Sequence, residues 1–193
     1  GSSLEYGNQK SPQQESLVGS PKSTYSKAKY LATNFLINQY RKNKLPVTIL
    51  RLYQIYGPYQ DVNRFLPILI TSCLKDKKFP CSNGNQYRDF LYVDDLISAI
   101  EKILTNKKSN GEILNIGMGK PIKIRHLINL VKKKINKGKP QFGKIKLRKD
   151  ESFKTYPNIE KIKKFIKWSP KSNIEKKLNS LINFYKKNSI YYS

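Results

Sequence analysis

The sequence predicts an α/β chain built on a largely parallel sheet, and three observations carry that expectation. Short β-rich runs alternate with amphipathic helical stretches at lengths that suit βα units. With 38% hydrophobic residues, 13 Tyr and 8 Phe in 193 residues, there is material for a sizeable core. The loops richest in motifs follow strands, which is where an open α/β sheet presents a ligand.

The elements follow in order. Residues 8–24 form a polar loop rich in Gln, Ser and Pro. A helix is expected over 23–42, with Ala28, Leu31, Ala32, Phe35 and Leu36 as its buried stripe. "PVTILRLYQIYGP" reads as one buried strand running into a loop at Gly57-Pro58, and "RFLPILITSCLK" as a short helix with Pro67 in its first turn. "GNQYRDFLYVDD" is a turn and a strand, after which Asp94 is expected to cap the next helix. "EILNIG" is a further strand, and "IKIRHLINLVKKKI" a helix with Ile124, Leu127, Ile128 and Val131 on one face. Ser172 and Glu175 have capping-box spacing at the start of the last helix, expected to run to about 188.

Composition narrows the function. The formal charge of +25 points toward polyanions, but only six of the 38 basic residues are arginines. Lysine arrives with abundant Ile, Asn and Tyr, as an AT-rich coding bias would give, and it is spread along the chain. A solvated surface is therefore expected, with no nucleic-acid partner; a basic, non-catalytic RNA-binding module is the alternative. No stretch approaches the ~18 apolar residues of a membrane helix. No signal peptide is legible, and Cys73 and Cys81 have no metal or disulfide spacing, so a cytoplasmic setting without membrane contact is expected. No metal site is expected either, since no His/Cys/carboxylate cluster is present and the lone His126 reads as a helix-surface residue. Gly117-Met118-Gly119 mimics a dinucleotide turn, but the third glycine of that pattern would fall at Ile122.

Tyr25 and Lys29 leave one helix face at i, i+4 spacing. An ammonium held near a phenol favours the phenolate, which makes a tyrosine a usable general acid/base. The pair alone is a weak signal in so lysine-rich a chain. Its flanks are more specific: "SSLEYG" at 2–7, then "SPKSTYSKAK", resembles the extended short-chain dehydrogenase/reductase family, the NAD(P)-dependent epimerases, dehydratases and reductases of nucleotide sugars. "LRLYQIYGP", "RFLP", "RDFLYVDD", "ILNIGMGKPIKI", "LRKDE" and "IKWSPK" continue the resemblance in the family's order across nearly the whole chain. In "IKWSPK" Lys167 replaces the usual glycine, so remodelling of that helix end is expected.

The resemblance implies the C-terminal part of a Rossmann-like, doubly wound parallel sheet plus a small mixed α/β substrate-binding lobe. The core would comprise 1–62 and 89–116, the lobe 63–88 and 117–193. It implies Ser2, Tyr25 and Lys29 as the catalytic set, with Tyr25, Lys29, Tyr53 and Ile55 toward the cofactor, NAD or NADP. Ser3, Gln54, Arg64, Phe65, Arg88, Arg148 and Glu151 would meet a nucleotide-diphosphate sugar, Gln54 standing where the family more often has Asn. Arg51, Arg64, Arg88 and Arg148 all fall within the matching blocks, and at least three of them suit forked contacts to a diphosphate.

The family's Gly-rich cofactor turn would precede Ser2, whereas this sequence opens at Gly1 and its only methionine is Met118. A fragment is therefore expected, inactive in hydride transfer by itself and homodimeric when whole; a truncated pseudoenzyme is the bland alternative. The dehydratases' Asp-Glu pair is replaced by Ser3 and Leu4, with Glu5 one place out of register. Dehydration is thus disfavoured, leaving epimerisation or ketoreduction at sugar C4, with some likeness to CDP-sugar 4-ketoreductases.

Overall fold

A computed structural model describes residues 1–147 and 151–188 and bears out the alternation of helix and strand. Helix α1 (Thr24–Asn43) is followed by β1 (Ile49–Leu52), β2 (Gln54–Tyr56), α2 (Phe65–Leu74), β3 (Lys78–Pro80), β4 (Tyr87–Arg88) and β5 (Phe90–Tyr92). Then come α3 (Val93–Leu104), β6 (Ile113–Ile116), β7 (Ile122–Lys123), α4 (Ile124–Ile135), β8 (Lys139–Gln141), β9 (Lys154–Thr155), α5 (Glu160–Ile166) and α6 (Ile174–Lys187). None of the described helices is long and apolar enough to cross a membrane.

The run expected as one strand is two. It breaks at Tyr53, whose N–H donates to the Ile116 carbonyl, while the next N–H, of Gln54, donates to Asp89. The chain thereby passes from one neighbour to another: β1 pairs with β6 and β2 with β5, both parallel. Ser2 bridges Leu52 in parallel on the other side of β1. The smaller pairings are β3 with β8 and, in a three-stranded sheet, β7–β4–β9.

Strand alternation divides the interior. Phe90 and Tyr92 of β5 join one apolar cluster, built from α2, α4 and α6 through Leu69, Ile70, Ile128, Val131, Leu178 and Ile182. Leu91, between them, joins a second, with Leu114, Ile116, Ile103, Ile162 and Trp168 from β6, α3, α5 and the segment after α5. The same period sends Leu114 and Ile116 of β6 to that core and Asn115 to the opposite face, beside its cross-strand neighbour Arg51.

Several local expectations are corrected. The stripe Ala28, Leu31, Ala32, Phe35 on α1 faces outward, with Leu31 and Phe35 both more than 60% exposed. Leu36, at its edge, is only partly buried. The fully buried residues of α1 are Ser26 and Thr33, and the partly buried Tyr30 and Tyr40 continue their 26, 30, 33, 40 spacing. Tyr30 packs on Gly19 and Tyr40 on Gly111, where a Cβ would come within 2.4 and 2.0 Å of the rings. Periodicity marks a stripe but not what covers it.

Asp94 does not cap α3, which begins after Tyr92 with no side-chain cap; Asp94 lies in the first turn and pairs with Lys177 at 3.0 Å. Its neighbour Asp95 is buried and accepts the backbone N–H groups of Lys171 and Ser172. With that N–H engaged, the cap of α6 moves one residue on: Asn173, not Ser172, accepts from the N–H groups of Glu175 and Lys176. The end of α5 is not remodelled. Lys167 takes the left-handed conformation itself (φ 49°, ψ 42°), its carbonyl accepting from Lys102 Nζ at 2.9 Å. The α4 face is as expected, with Ile124, Leu127, Ile128 and Val131 all buried.

Candidate active site

The strand ends on one side of the sheet assemble a cavity. Ser2, itself extended and bridged to Leu52 of β1, caps a one-turn 3-10 helix over Ser3–Tyr6, its hydroxyl accepting from the Leu4 N–H at 3.3 Å. The first turn of α1, fixed by reciprocal Ser23–Ser26 hydrogen bonds, presents Tyr25, which is 55% exposed. The break at Tyr53 and the first residues of β2, Gln54 and Ile55, come next, and the start of α2 delivers Phe65 with Arg64 just before it. These residues line one cavity of about 440 Å³. Lys29 Nζ stands 5.6 Å from the centre of the Tyr25 ring without lining the cavity, and Ser3 is buried and lines it no more than Lys29 does.

A second cavity of about 390 Å³ shares Gln54, Phe65 and Phe90 with the first and is walled by Ile68, Phe79, Ile124 and Ile128. Arg88 and Glu151 stand at its side as an ion pair, and Arg88 also donates to the Tyr87 carbonyl at 2.7 Å. The carboxylate thus holds the guanidinium in a fixed direction. The Arg148 assignment lies outside the described residues. His126 is exposed on α4.

Arg51 lines neither cavity. It is 2% exposed, on the far face of β1, with its Nε donating to Glu5 Oε2 at 3.0 Å and its guanidinium 4.5 Å over the Tyr6 ring. Glu5, set aside in the sequence as out of register, is fully buried, and its other oxygen accepts the Ser2 N–H at 2.7 Å. Gln60 and Asp61 also line the first cavity, and Ser82 and Gln86 the second; no motif singled them out. A charged residue between Leu50 and Leu52 on a strand was the one legible sign that Arg51 faces away from its neighbours.

Burial sets the electrostatics beneath the site. It raises the phenol of Tyr53, whose hydroxyl donates to Gln13. It also pushes the Asp89 carboxyl up to about 6, against the N–H groups of Met118 and Lys120 that favour its charged form. Those bonds close the Gly117–Lys120 turn, which is the role the glycine pair has here.

The NAD dependent epimerase/dehydratase family matches residues 1–117, more than half of the chain. The chain belongs to that family. Its Rossmann-type fold is that of the extended short-chain dehydrogenase/reductases. Among relatives of this NAD dependent epimerase/dehydratase chain, a UDP-glucuronate 4-epimerase of Thermodesulfobacterium geofontis is 30% identical over 95% of the chain and 57% of its own length. A CDP-abequose synthase of Salmonella muenchen is 28% identical over 69% of the chain and 46% of its own length. The crystal structure of a dTDP-glucose 4,6-dehydratase from Bacillus anthracis in complex with NAD superposes with a TM-score of 0.90, at 28% identity, over 99% of the chain and 61% of that structure. The chain thus spans about half the length of the curated relatives it matches.

Proposed function

We propose that this chain supplies the proton-transfer residues and the sugar-nucleotide surface of an NAD(P)-dependent oxidoreductase acting at sugar C4. The observation that carries the reading is convergence. Ser2, Tyr25, Tyr53, Gln54, Ile55, Arg64 and Phe65 surround one cavity, and it shares a wall with another edged by Arg88 and Glu151. On this reading 1–62 and 89–116 carry the nicotinamide end, and 63–88 and 117–193 the nucleotide end.

Tyr25 exchanges the proton of the C4 oxygen, since its phenol is 55% exposed at the cavity that Ser2 also lines. Ser2 donates its hydroxyl proton to the same oxygen and orients it. Lys29, one helical turn on with its Nζ 5.6 Å from the centre of the Tyr25 ring, meets the nicotinamide ribose. Tyr53 and Ile55 offer the flat, apolar wall that suits a nicotinamide ring, and the set therefore fits the nicotinamide end of NAD. NAD(P), when bound, would supply the hydride chemistry at C4: removal and return in epimerisation, delivery from the reduced form in ketoreduction. Arg64 and Arg88 hold the diphosphate by charge-assisted hydrogen bonds, Arg88 already aimed by Glu151. Ser3 and the aliphatic, half-exposed Leu4 offer no acid–base pair for expelling water, so epimerisation or one-way ketoreduction is favoured over dehydration.

The test uses the gene product that carries this chain, NAD(P) and a panel of UDP-, CDP- and dTDP-hexoses. Tyr25→Phe lowers kcat at least about a thousand-fold with little change in binding, and Arg88→Ala weakens sugar-nucleotide binding about ten-fold or more. Wild-type turnover by Tyr25→Phe overturns the assignment. Binding of RNA in place of every sugar nucleotide identifies the polyanion module instead.

A further inference from the structure

Resting on that reading, we infer that Glu5 is a positioning residue for the reaction, acting through Ser2, with Arg51 as its anchor. Glu5 Oε1 accepts the Ser2 N–H at 2.7 Å, the Glu5 N–H donates to the Ser2 carbonyl at 3.1 Å, and Oε2 accepts from Arg51 Nε at 3.0 Å. Both backbone polar groups of Ser2 are therefore referred to one carboxylate residue, and that carboxylate is referred to β1 through Arg51. The network then continues. Tyr6, under the guanidinium, donates to Asn115 Oδ1 at 2.8 Å; Asn115 Nδ2 donates to the Gln13 carbonyl at 2.9 Å; Gln13 Oε1 accepts from Tyr53 at 2.8 Å. Its two ends, Ser2 and Tyr53, both line the first cavity, whereas Glu5, Tyr6, Arg51, Asn115 and Gln13 do not. Each of those five is at most 2% exposed.

Stability alone is a poor reason for such an arrangement. A buried ion pair is often matched or bettered by apolar residues of similar volume, and among the described residues Arg51 Nη1 is left without a hydrogen-bond partner. What the pair does provide is direction. The Ser2 hydroxyl is otherwise held by one long hydrogen bond, from the Leu4 N–H at 3.3 Å; fixing the Ser2 N–H and C=O fixes where that hydroxyl can swing.

The test compares Ser2→Ala, Glu5→Gln and the double variant in the gene product, with the member of the UDP-, CDP- and dTDP-hexose panel that turns over. Glutamine keeps an acceptor for the Ser2 N–H but loses the anchor to Arg51. Glu5→Gln is expected to lower kcat about ten-fold while KM moves less than about three-fold. In the Ser2→Ala background the same change costs less than about two-fold, because a positioning effect ends with the group it positions. Arg51→Lys, which keeps the charge balance, gives the same split and serves if Glu5→Gln does not accumulate in folded form. Losses that multiply across the double variant, or a rise in KM alone, overturn the inference and leave the role of Ser2 standing. Full activity of Ser2→Ala overturns the reading of Ser2 itself, and the inference with it.

Discussion

Asp89 is a fully buried carboxylate, and its carboxyl sits at about 6 against an ordinary value of 3.8, chiefly through loss of hydration. A raised value means that the folded chain binds this proton more tightly than the unfolded one. The stabilisation is full below about pH 4 and is lost as the pH rises through about 6, a change of roughly 3 kcal/mol. Denaturant unfolding between pH 4 and 7 should therefore show a decline in wild type that Asp89→Asn flattens; parallel slopes in the two proteins would refute the cause given. Glu5 shows what sequence cannot express at this scale. Its meaning depends on Arg51, 46 positions away, and on a burial that no local spacing encodes. Arg88 and Tyr25, by contrast, were singled out by motifs that are short and ordered along the chain, and each lines a cavity.

Helix α1 contrasts what periodicity reveals with what it leaves open. Its cap at Ser23 was not singled out, while its extent was legible from the helical spacing over 23–42. Which face packs inward was not, because small polar side chains at 26 and 33 and two tyrosine rings close on glycines from distant loops. Two substitutions separate the faces. Gly111→Ala combines a φ of +77° with a Cβ 2.0 Å from the Tyr40 ring, and should cost more than about 2 kcal/mol. Leu31→Gln, on the outward face, should stay within about 0.5 kcal/mol. Thermal unfolding of both variants checks the pair; a larger loss at Leu31 would mean that the stripe is covered in the working protein. The displaced cap at Asn173 teaches the same lesson from the other side, since a distant carboxylate, Asp95, chose between two adjacent candidates.

Across the whole molecule, the α/β class and the order of elements were readable because alternation and turn chemistry agree along most of the chain. The division into two apolar clusters was not, for it depends on β5 handing alternate side chains to opposite sides. The charge of +25 acts at this scale too. Self-repulsion at low ionic strength opposes the compact state, so raising salt from about 20 to about 200 mM should raise the unfolding midpoint while weakening capture of diphosphate ligands. A midpoint indifferent to salt would show that the lysines are too dispersed to interact. The wall formed by Gln54, Phe65 and Phe90 belongs to both cavities. On the proposed function, a substitution there would alter what is held at one end and what is transformed at the other in a single stroke. Divergence toward a new sugar with the old nucleotide would then be confined to side chains away from the wall, such as Gln60 and Asp61. The shared wall makes those two positions the natural starting library for redesign.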